Sequence, residues 1–461
     1  MPRPKQENRW YGYKFATSEQ YTDTLLITHS SQTCRLRKVK CDGLFPICRT
    51  CQKSGRICER ESLSSSHNYE SSKKETPRKG QDNSRQENLP PLELPTPEYP
   101  RSALENRQIC SIFQHYIDNL ASWYDLNDKL RRFEDVVPRH SLEKPLLFSA
   151  VIAFSAIHLS RLTSRTEFQY IAEFYHLESI QRLIAVTNRG EQIHGGATIA
   201  TTCLLRSYEI LAENVDSQSH LHGSSSFLAG QKIEIGPDLM SAGFWNYLRE
   251  DITVALMEKR RLKIDLSNVS IPSPIEDDDR ANVISRLLGI VINRCLGKDA
   301  PALDMSEWTS MQLEIDRWRT ELPQTFKPVS LWGPPKSNFP ELVMFHGWNI
   351  AAMQYYHTVM SILLLAEPTS AGQNAWHKTE QINNMRRKLE SHAIQICGLA
   401  ISNESNAARV NAFGPICFCG VWITDAEQRV ELINSLKRWQ DVTAWPVDTI
   451  IRTLSTAWQT E

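Results

Sequence analysis

The sequence carries none of the short motifs that mark the common enzyme classes. It has no phosphate-cradling Gly-rich loop followed by Lys, no dinucleotide fingerprint, no His-Glu-x-x-His and no Gly-x-Ser-x-Gly elbow. These absences leave no enzymatic chemistry to nominate, and no catalytic residue is expected. The start, Met1 to Lys14, has no apolar run. No secretory signal is read there, so a reducing compartment is expected, in which thiols stay reduced. Strand alternation is missing throughout, which argues against sandwiches and barrels. No repeat of fixed period and no a/d heptad stands out, which weakens any claim of coiled-coil dimerisation. The most apolar stretch, PLLFSAVIAFSAIHL at 145–159, is short for a membrane span and contains two Ser and a His. It reads as a buried helix opened by Pro145, and no membrane partner is expected. Net charge is also nearly absent, −1 over 461 residues.

What is present is uneven. Five of the eleven cysteines fall in one short stretch, Cys34, Cys41, Cys48, Cys51 and Cys58, spaced C-x6-C-x6-C-x2-C-x6-C. Close cysteine pairs separated by short loops are how a small segment builds a tetrahedral thiolate zinc site. Such a segment cannot make an apolar core, so metal must supply its folding energy. An odd number of cysteines argues against a disulfide staple. A redox role for Cys48 and Cys51 would need a supporting fold that is not visible. Residues 31–60 hold eight Lys/Arg against two Asp/Glu, a net of +6, whereas 101–461 hold 35 against 41, a net of −6. Attraction to a polyanion therefore resides in the small segment.

With one more cysteine, at position 31, the spacing would be C-x2-C-x6-C-x6-C-x2-C-x6-C. The stretch resembles the zinc binuclear cluster of fungal transcription regulators, in Cys34-Arg-Leu-Arg-Lys-Val-Lys-Cys41-Asp-Gly, in Pro46-x-Cys48 and in Gly55-x-x-Cys58. The resemblance implies two structural zinc ions sharing six thiolates, two of them bridging. The family's bridging positions fall on Ser31 and Cys48. Ser31 departs from the pattern, because a hydroxyl stays protonated at neutral pH and is a poor zinc ligand. The five cysteines then fill six of eight coordination slots, with water or His29 as substitutes or one zinc fewer. Three readings stand: the natural chain has Cys at 31, the cluster folds imperfectly with Ser31, or it no longer binds metal. Arg35 to Lys40 reads as a short helix ended by Asp42-Gly43. The resemblance assigns base contacts to Arg37 and Lys38, with Lys38 the stronger candidate, and phosphate contacts to Arg35 and Lys40. It also implies double-stranded DNA with CGG-type triplets, genes read by RNA polymerase II, co-regulators, and the nucleus as location.

In chain order, residues 1–28 carry no pattern, and 29–60 form the zinc cluster segment. Residues 61–100 read as a disordered linker, charged, poor in apolar residues and closed by prolines. Residues 101–461 read as an all-helical regulatory region. Expected helices include 145–159, 174–183, 197–211, 244–257, 283–295, 308–322, 343–365, 377–399, 410–434 and 447–458. The region is similar to the fungal-specific regulatory region of the same regulators, in His115 to Leu126, His158-Leu-Ser-Arg161, Leu204 to Tyr208, Phe244-Trp245 and Trp348 to His357. The fold class expected is mainly α: a small zinc-thiolate domain plus a large helical domain. A small-molecule effector among aromatic residues and a homo- or heterodimer are further expectations, with no pocket residue identified. The rival reading is a helical interaction or sensing protein whose DNA-binding head has decayed. Cys417 and Cys419 read as core thiols, His346 and His357 as packed histidines, and Asp277 to Asp279 as a solvated loop.

Overall fold

Three of the apolar stretches have no polar side to turn toward water, and each therefore has to be surrounded by other helices. A computed structural model of the chain describes residues 33–34, 37, 39, 49–54, 56, 94–188, 196–212, 233–267, 269–271, 275–297, 299–329, 337–368 and 374–459. It divides into two units, Met1–Leu94 and Pro95–Glu461. In the first unit one short helix is described, α1 (Arg49–Lys53). Residues 1–28 and the linker stretch 61–93 lie outside the described residues.

The second unit is helical and begins with a turn at Pro100–Ala103. Pro97 and Pro100 are buried, and Tyr175 Oη donates to the Pro95 carbonyl at 2.9 Å. The following elements are α2 (Arg107–His115), a π-turn at Tyr116–Leu120, α3 (Ala121–Tyr124), α4 (Arg132–Ser141), α5 (Pro145–Thr163), α6 (Thr166–Asn188) and α7 (Gly196–Leu211). Next come β1 (Ile233–Glu234), α8 (Leu239–Glu258), β2 (Val269–Ser270), α9 (Asp277–Cys295) and α10 (Met305–Thr320). The C-terminal part holds α11 (Gly347–Leu365), α12 (Ala375–Ile401), α13 (Asn406–Cys419), α14 (Ala426–Thr443) and α15 (Asp448–Gln459).

Helix α5 is wrapped over its whole middle: every residue from Leu147 to His158 is buried. Its length and composition would suit a membrane, yet here it is a core helix, packed on α2, α4, α6 and α7. Helix α7 is buried on all sides from Ala197 to Glu209 and lies between α5 and α8. Helix α8 opens on Asp238, whose carboxylate accepts from the Ser241 amide at 2.9 Å, and contacts α7, α9 and α13. The α8–α13 crossing is close because Gly414 faces Thr253; a Cβ at 414 would lie 2.8 Å from the Thr253 Cα.

The structure departs from the expected boundaries where local chemistry is decided by caps. The acidic run Asp277 to Asp279 is the first turn of α9 rather than a solvated loop. Glu276 and Asp279 cap it reciprocally, and carboxylates suit the positive end of a helix. The stretch 410–434 is two helices, α13 and α14, parted by a 3-10 turn at Gly420–Trp422. A two-residue parallel pair, Ile233 with Val269 and Glu234 with Ser270, stands against the expectation of no strand at all.

Two histidine pairs lock helices together. His115 Nε2 lies 3.0 Å from His158 Nδ1, and His357 Nδ1 lies 2.9 Å from His392 Nδ1. In each pair one ring must be a neutral acceptor. Burial pushes His357 down to about 3, with repulsion from His392 and Arg319 adding to it, and pushes His392 down to about 4. The folded form is neutral, so this stability is full above the ordinary value near 6.5 and is lost as pH falls toward 3. Asp125 and Glu250, raised by burial to about 7 and about 8, act with opposite sign, losing stability as pH rises through those values. The net slope therefore mixes both, and a variant isolates the histidine. His357→Gln is expected to be less stable than the parent at pH 7, with a gap about 2 kcal/mol narrower at pH 5. Urea unfolding followed by tryptophan fluorescence measures this; an equal gap at both pH values would show that His357 is not held neutral.

Candidate metal centre and nucleic-acid interface

The first unit places two of the five clustered cysteines side by side. Cys34 and Cys51 are fully buried, with Sγ atoms 3.7 Å apart. This is far beyond a disulfide bond. It is close to the edge of a thiolate tetrahedron around one zinc, about 3.8 Å for bonds of about 2.3 Å. Each cysteine sits where the backbone turns tightly on its own carbonyl. The Val39 amide donates to Cys34 O at 3.1 Å, and the Ser54 and Arg56 amides both donate to Cys51 O at 3.1 Å. The second of these turns caps α1, which carries Cys51. Among the described residues no third His, Cys, Asp or Glu joins the pair. Cys41, Cys48, Cys58, Ser31 and His29 lie outside the described residues. The chemistry of the pair, two buried thiols held at zinc-ligand spacing, fits a structural metal.

Around the pair, the described basic residues point outward. Arg37, Lys53 and Arg56 are exposed. Arg37 donates from Nη1 to Ser54 Oγ at 3.3 Å, and Ser54 Oγ passes its own proton toward the carbonyls of Thr50 (2.9 Å) and Cys51 (3.0 Å). The guanidinium is thereby tied to the segment that holds Cys51. Of the helix expected at 35–40, Arg37 and Val39 are described; Arg37 lies in a turn and Val39 in irregular backbone, because the chain wraps back on the Cys34 carbonyl. Arg35, Lys38 and Lys40 lie outside the described residues. Lys53 and Arg56 enter the sequence reading only as part of the charge. Their signal was their place two residues after Cys51 and two residues before Cys58.

In the second unit Cys417 and Cys419 are packing groups, whereas His346 is exposed, against the expectation of a packed histidine. Cys417 and Cys419 are buried, and burial raises both thiols, Cys419 to about 12. His346 precedes α11 and stacks on Trp348 with centroids 4.2 Å apart. Buried charge gathers elsewhere, where α3, α5, α7, α8 and α13 meet around a cavity of about 100 Å³.

Residues 29–67 match the fungal Zn(2)-Cys(6) binuclear cluster domain, and residues 111–242 match the fungal specific transcription factor domain. The chain is 21% identical over 336 residues to a protein of Alternaria alternata named transcription activator AMTR1, covering 57% of this chain and 43% of that one. It is 53% identical over 38 residues to the sorbicillinoid biosynthetic cluster transcription factor sor3 of Hypocrea jecorina (strain QM6a), covering 8% of this chain and 6% of that one. The chain thus spans less than half the length of either relative. No solved structure matches it.

If the pair is part of the metal centre, Cys34→Ala and Cys51→Ala in the full chain should each lower the zinc bound per molecule. The double variant should lose little more than either single one, because both remove ligands from one cluster. Native mass spectrometry counts the metal directly. Zinc content unchanged by either substitution would put the pair outside the centre.

Proposed function

We propose, for a chain that carries a fungal Zn(2)-Cys(6) binuclear cluster domain and a fungal specific transcription factor domain, sequence-specific binding of duplex DNA by a zinc-held head at residues 29–60. Its general role is in transcription regulation, and both domains are non-catalytic modules. Zinc-binding, DNA and the transcription machinery follow from the domains in general terms, and proteins built of them are typically nuclear. The finer reading is ours: CGG-type triplets in genes transcribed by RNA polymerase II, action in the nucleus, and residues 101–461 as the part that governs when binding matters. Co-regulators, a small-molecule effector and a second chain are the partners this reading gives the body.

The observation that carries it is the buried Cys34–Cys51 pair at 3.7 Å beneath exposed Arg37, Lys53 and Arg56. Metal-held thiols would set the shape of the head, and the cations would meet the duplex. Cys34, Cys41, Cys48, Cys51 and Cys58 are the proposed ligands, with His29, Ser31 or water completing what the five leave open. Lys38 is proposed to read a base, since Arg37 is already engaged with Ser54. Arg35 and Lys40 are proposed to hold phosphates. Lys38→Ala should therefore weaken binding to a selected site about tenfold while sparing random duplex. Arg35→Ala should weaken both alike and reduce the salt slope by about 1. Gel-shift titrations over a salt series separate the two. An equal loss on both DNAs for Lys38→Ala would remove its base-reading role.

Ser31 supports one rival, a regulator whose head has lost its hold on DNA. Restoring the ligand decides between them. Ser31→Cys should raise the zinc count toward two per chain and tighten binding to the selected site if the head is an imperfect cluster. If the chain with Ser31 binds no zinc and no DNA, the rival stands.

A further inference from the structure

Helix α12 is longer than the part of the body that supports it. It opens on Asn374, whose side chain accepts from the His377 amide at 2.9 Å. From Ala375 to Lys388 no side chain is buried, and the first buried one is Leu389. These turns form an arm of 14 residues, about 21 Å long. On it Trp376 is 78% exposed and Ile382 50%. A lone helix of this length is marginal in water, and large apolar side chains left in the open add nothing to it. The arm is also basic: Lys378, Arg386, Arg387 and Lys388 stand against Glu380, a net of +3. Trp376, Thr379, Asn383 and Arg386 follow spacings of three and four, so an aromatic ring and a cation share one face.

The other end of α12 borders a groove. Its volume is about 920 Å³, and it is walled by the end of α12, the start of α13, α14 and residues 337–341. Ile401 and Val430 supply apolar surface, with Val430 61% exposed. The wall holds Glu341, Glu404, Glu427 and Glu431 against Arg409 and Arg438, a net of −2. Both arginines are turned to neighbours. Arg409 donates to Asn406 Oδ1 at 3.1 Å and lies over the Trp439 ring, and Arg438 donates to Ser435 Oγ at 2.9 Å. Glu431 accepts from Ser337 Oγ (2.6 Å) and from the Asn338 amide (2.8 Å). Glu404 and Glu427 stand exposed.

Arm and groove are opposite in charge, and both offer apolar surface. They cannot meet within one chain. Ile382 and the end of α12 at Ser402 are about 30 Å apart along one continuous helix. A second copy brings them together. Set with its α12 antiparallel, it lays arm on groove at both ends at once, about a two-fold axis near His392. Such a contact is isologous and closed, with no free end from which a filament would grow. Arm and groove give each copy about 27 residues of interface, within the range of about 20–30 a side for a stable interface of standard size.

We propose that two copies of this chain associate through α12, the arm of each lying in the groove of the other. The association specifies the second chain of the regulatory reading and rests on that reading for its purpose.

Sedimentation velocity of the full chain over a concentration series measures it. The parent is expected to be a dimer at micromolar concentration. Trp376→Ala should weaken the dimer about tenfold or more, since a tryptophan buried on association carries much of the binding energy. Reversing the arm charges (Arg386→Glu with Arg387→Glu) should give a monomer, and so should reversing the groove (Glu404→Lys with Glu427→Lys). All four side chains are exposed, so the fold is spared. Mixed in equal amounts, the two monomeric variants should dimerise again, because each then offers an arm that matches the other's groove. A monomeric parent overturns the proposal and leaves the arm to a different protein. A dimer that either reversal leaves intact, or a mixture that stays monomeric, overturns it too. Gel shifts on the same samples are a separate readout: a dimer that binds no DNA sinks the DNA-binding reading and leaves the association standing.

Discussion

Helices without a polar face impose the architecture of the large unit. Residues Leu147 to His158 on α5, Ala197 to Glu209 on α7 and most of α8 are buried whichever way they point. Each must be covered on every side, so other helices are recruited around them, and the polar groups they carry are buried along with them. Most of those groups are satisfied locally: Ser155 donates to the Ile112 carbonyl at 2.6 Å, Thr202 to Thr198 at 2.9 Å, and Tyr124 to Ser207 at 2.6 Å. Arg206 Nε and Glu250 Oε2, with Thr201 Oγ1 on α7, are among the groups left without a hydrogen-bond partner. The cavity is thus a consequence of the same constraint that makes the fold. A helix buried on all sides has nowhere else to send a long charged side chain.

The small unit solves the opposite problem. Its cysteine segment, 29–60, is too short to bury an apolar core, and among the described residues of this unit the buried ones are thiols. Metal binding there would take the place of hydrophobic burial and free the surface to be basic. The near-neutral whole chain is therefore a sum of two opposed parts, a head of +6 and a body of −6 over 101–461. Had the body carried the positive charge, nonspecific attraction to nucleic acid would have been spread over the whole molecule.

Much of the fold was legible because its signals are periodic. Pro145 marked the start of α5, and apolar spacing found α7, α8, α11 and α12 within a few residues. The misses are places where a cap or a short turn outweighs periodicity. Asp277 to Asp279 look like loop by composition, yet three acids at a helix start are favoured by the exposed amides there. Residues 412–423 are apolar throughout, so periodicity alone could not see the 3-10 turn at Gly420–Trp422. In the head, the cysteine spacing pointed to metal ligands, and the described pair lies at ligand spacing. The role of Ser54 in fixing Arg37 was invisible, since it joins positions seventeen apart. The cavity charges were unreadable for the same reason: Arg206, Arg249 and Trp123 meet only through packing.

A head with Ser31 where the resembling family has cysteine would set how head and body matter to each other. Thiolate ligands contribute folding energy only while zinc is bound, so a head with five cysteines has less of it to draw on than one with six. A marginally held head has its folded population set by whatever else binds it, DNA included. Binding and folding of the head would then be one equilibrium, with the apparent DNA affinity equal to that of a folded head multiplied by the fraction folded. The body, by contrast, is stabilised by burial that needs no metal. A regulator built this way would lose DNA under zinc limitation while its large domain stayed intact. Its effector response and its DNA response would be separable in the same molecule.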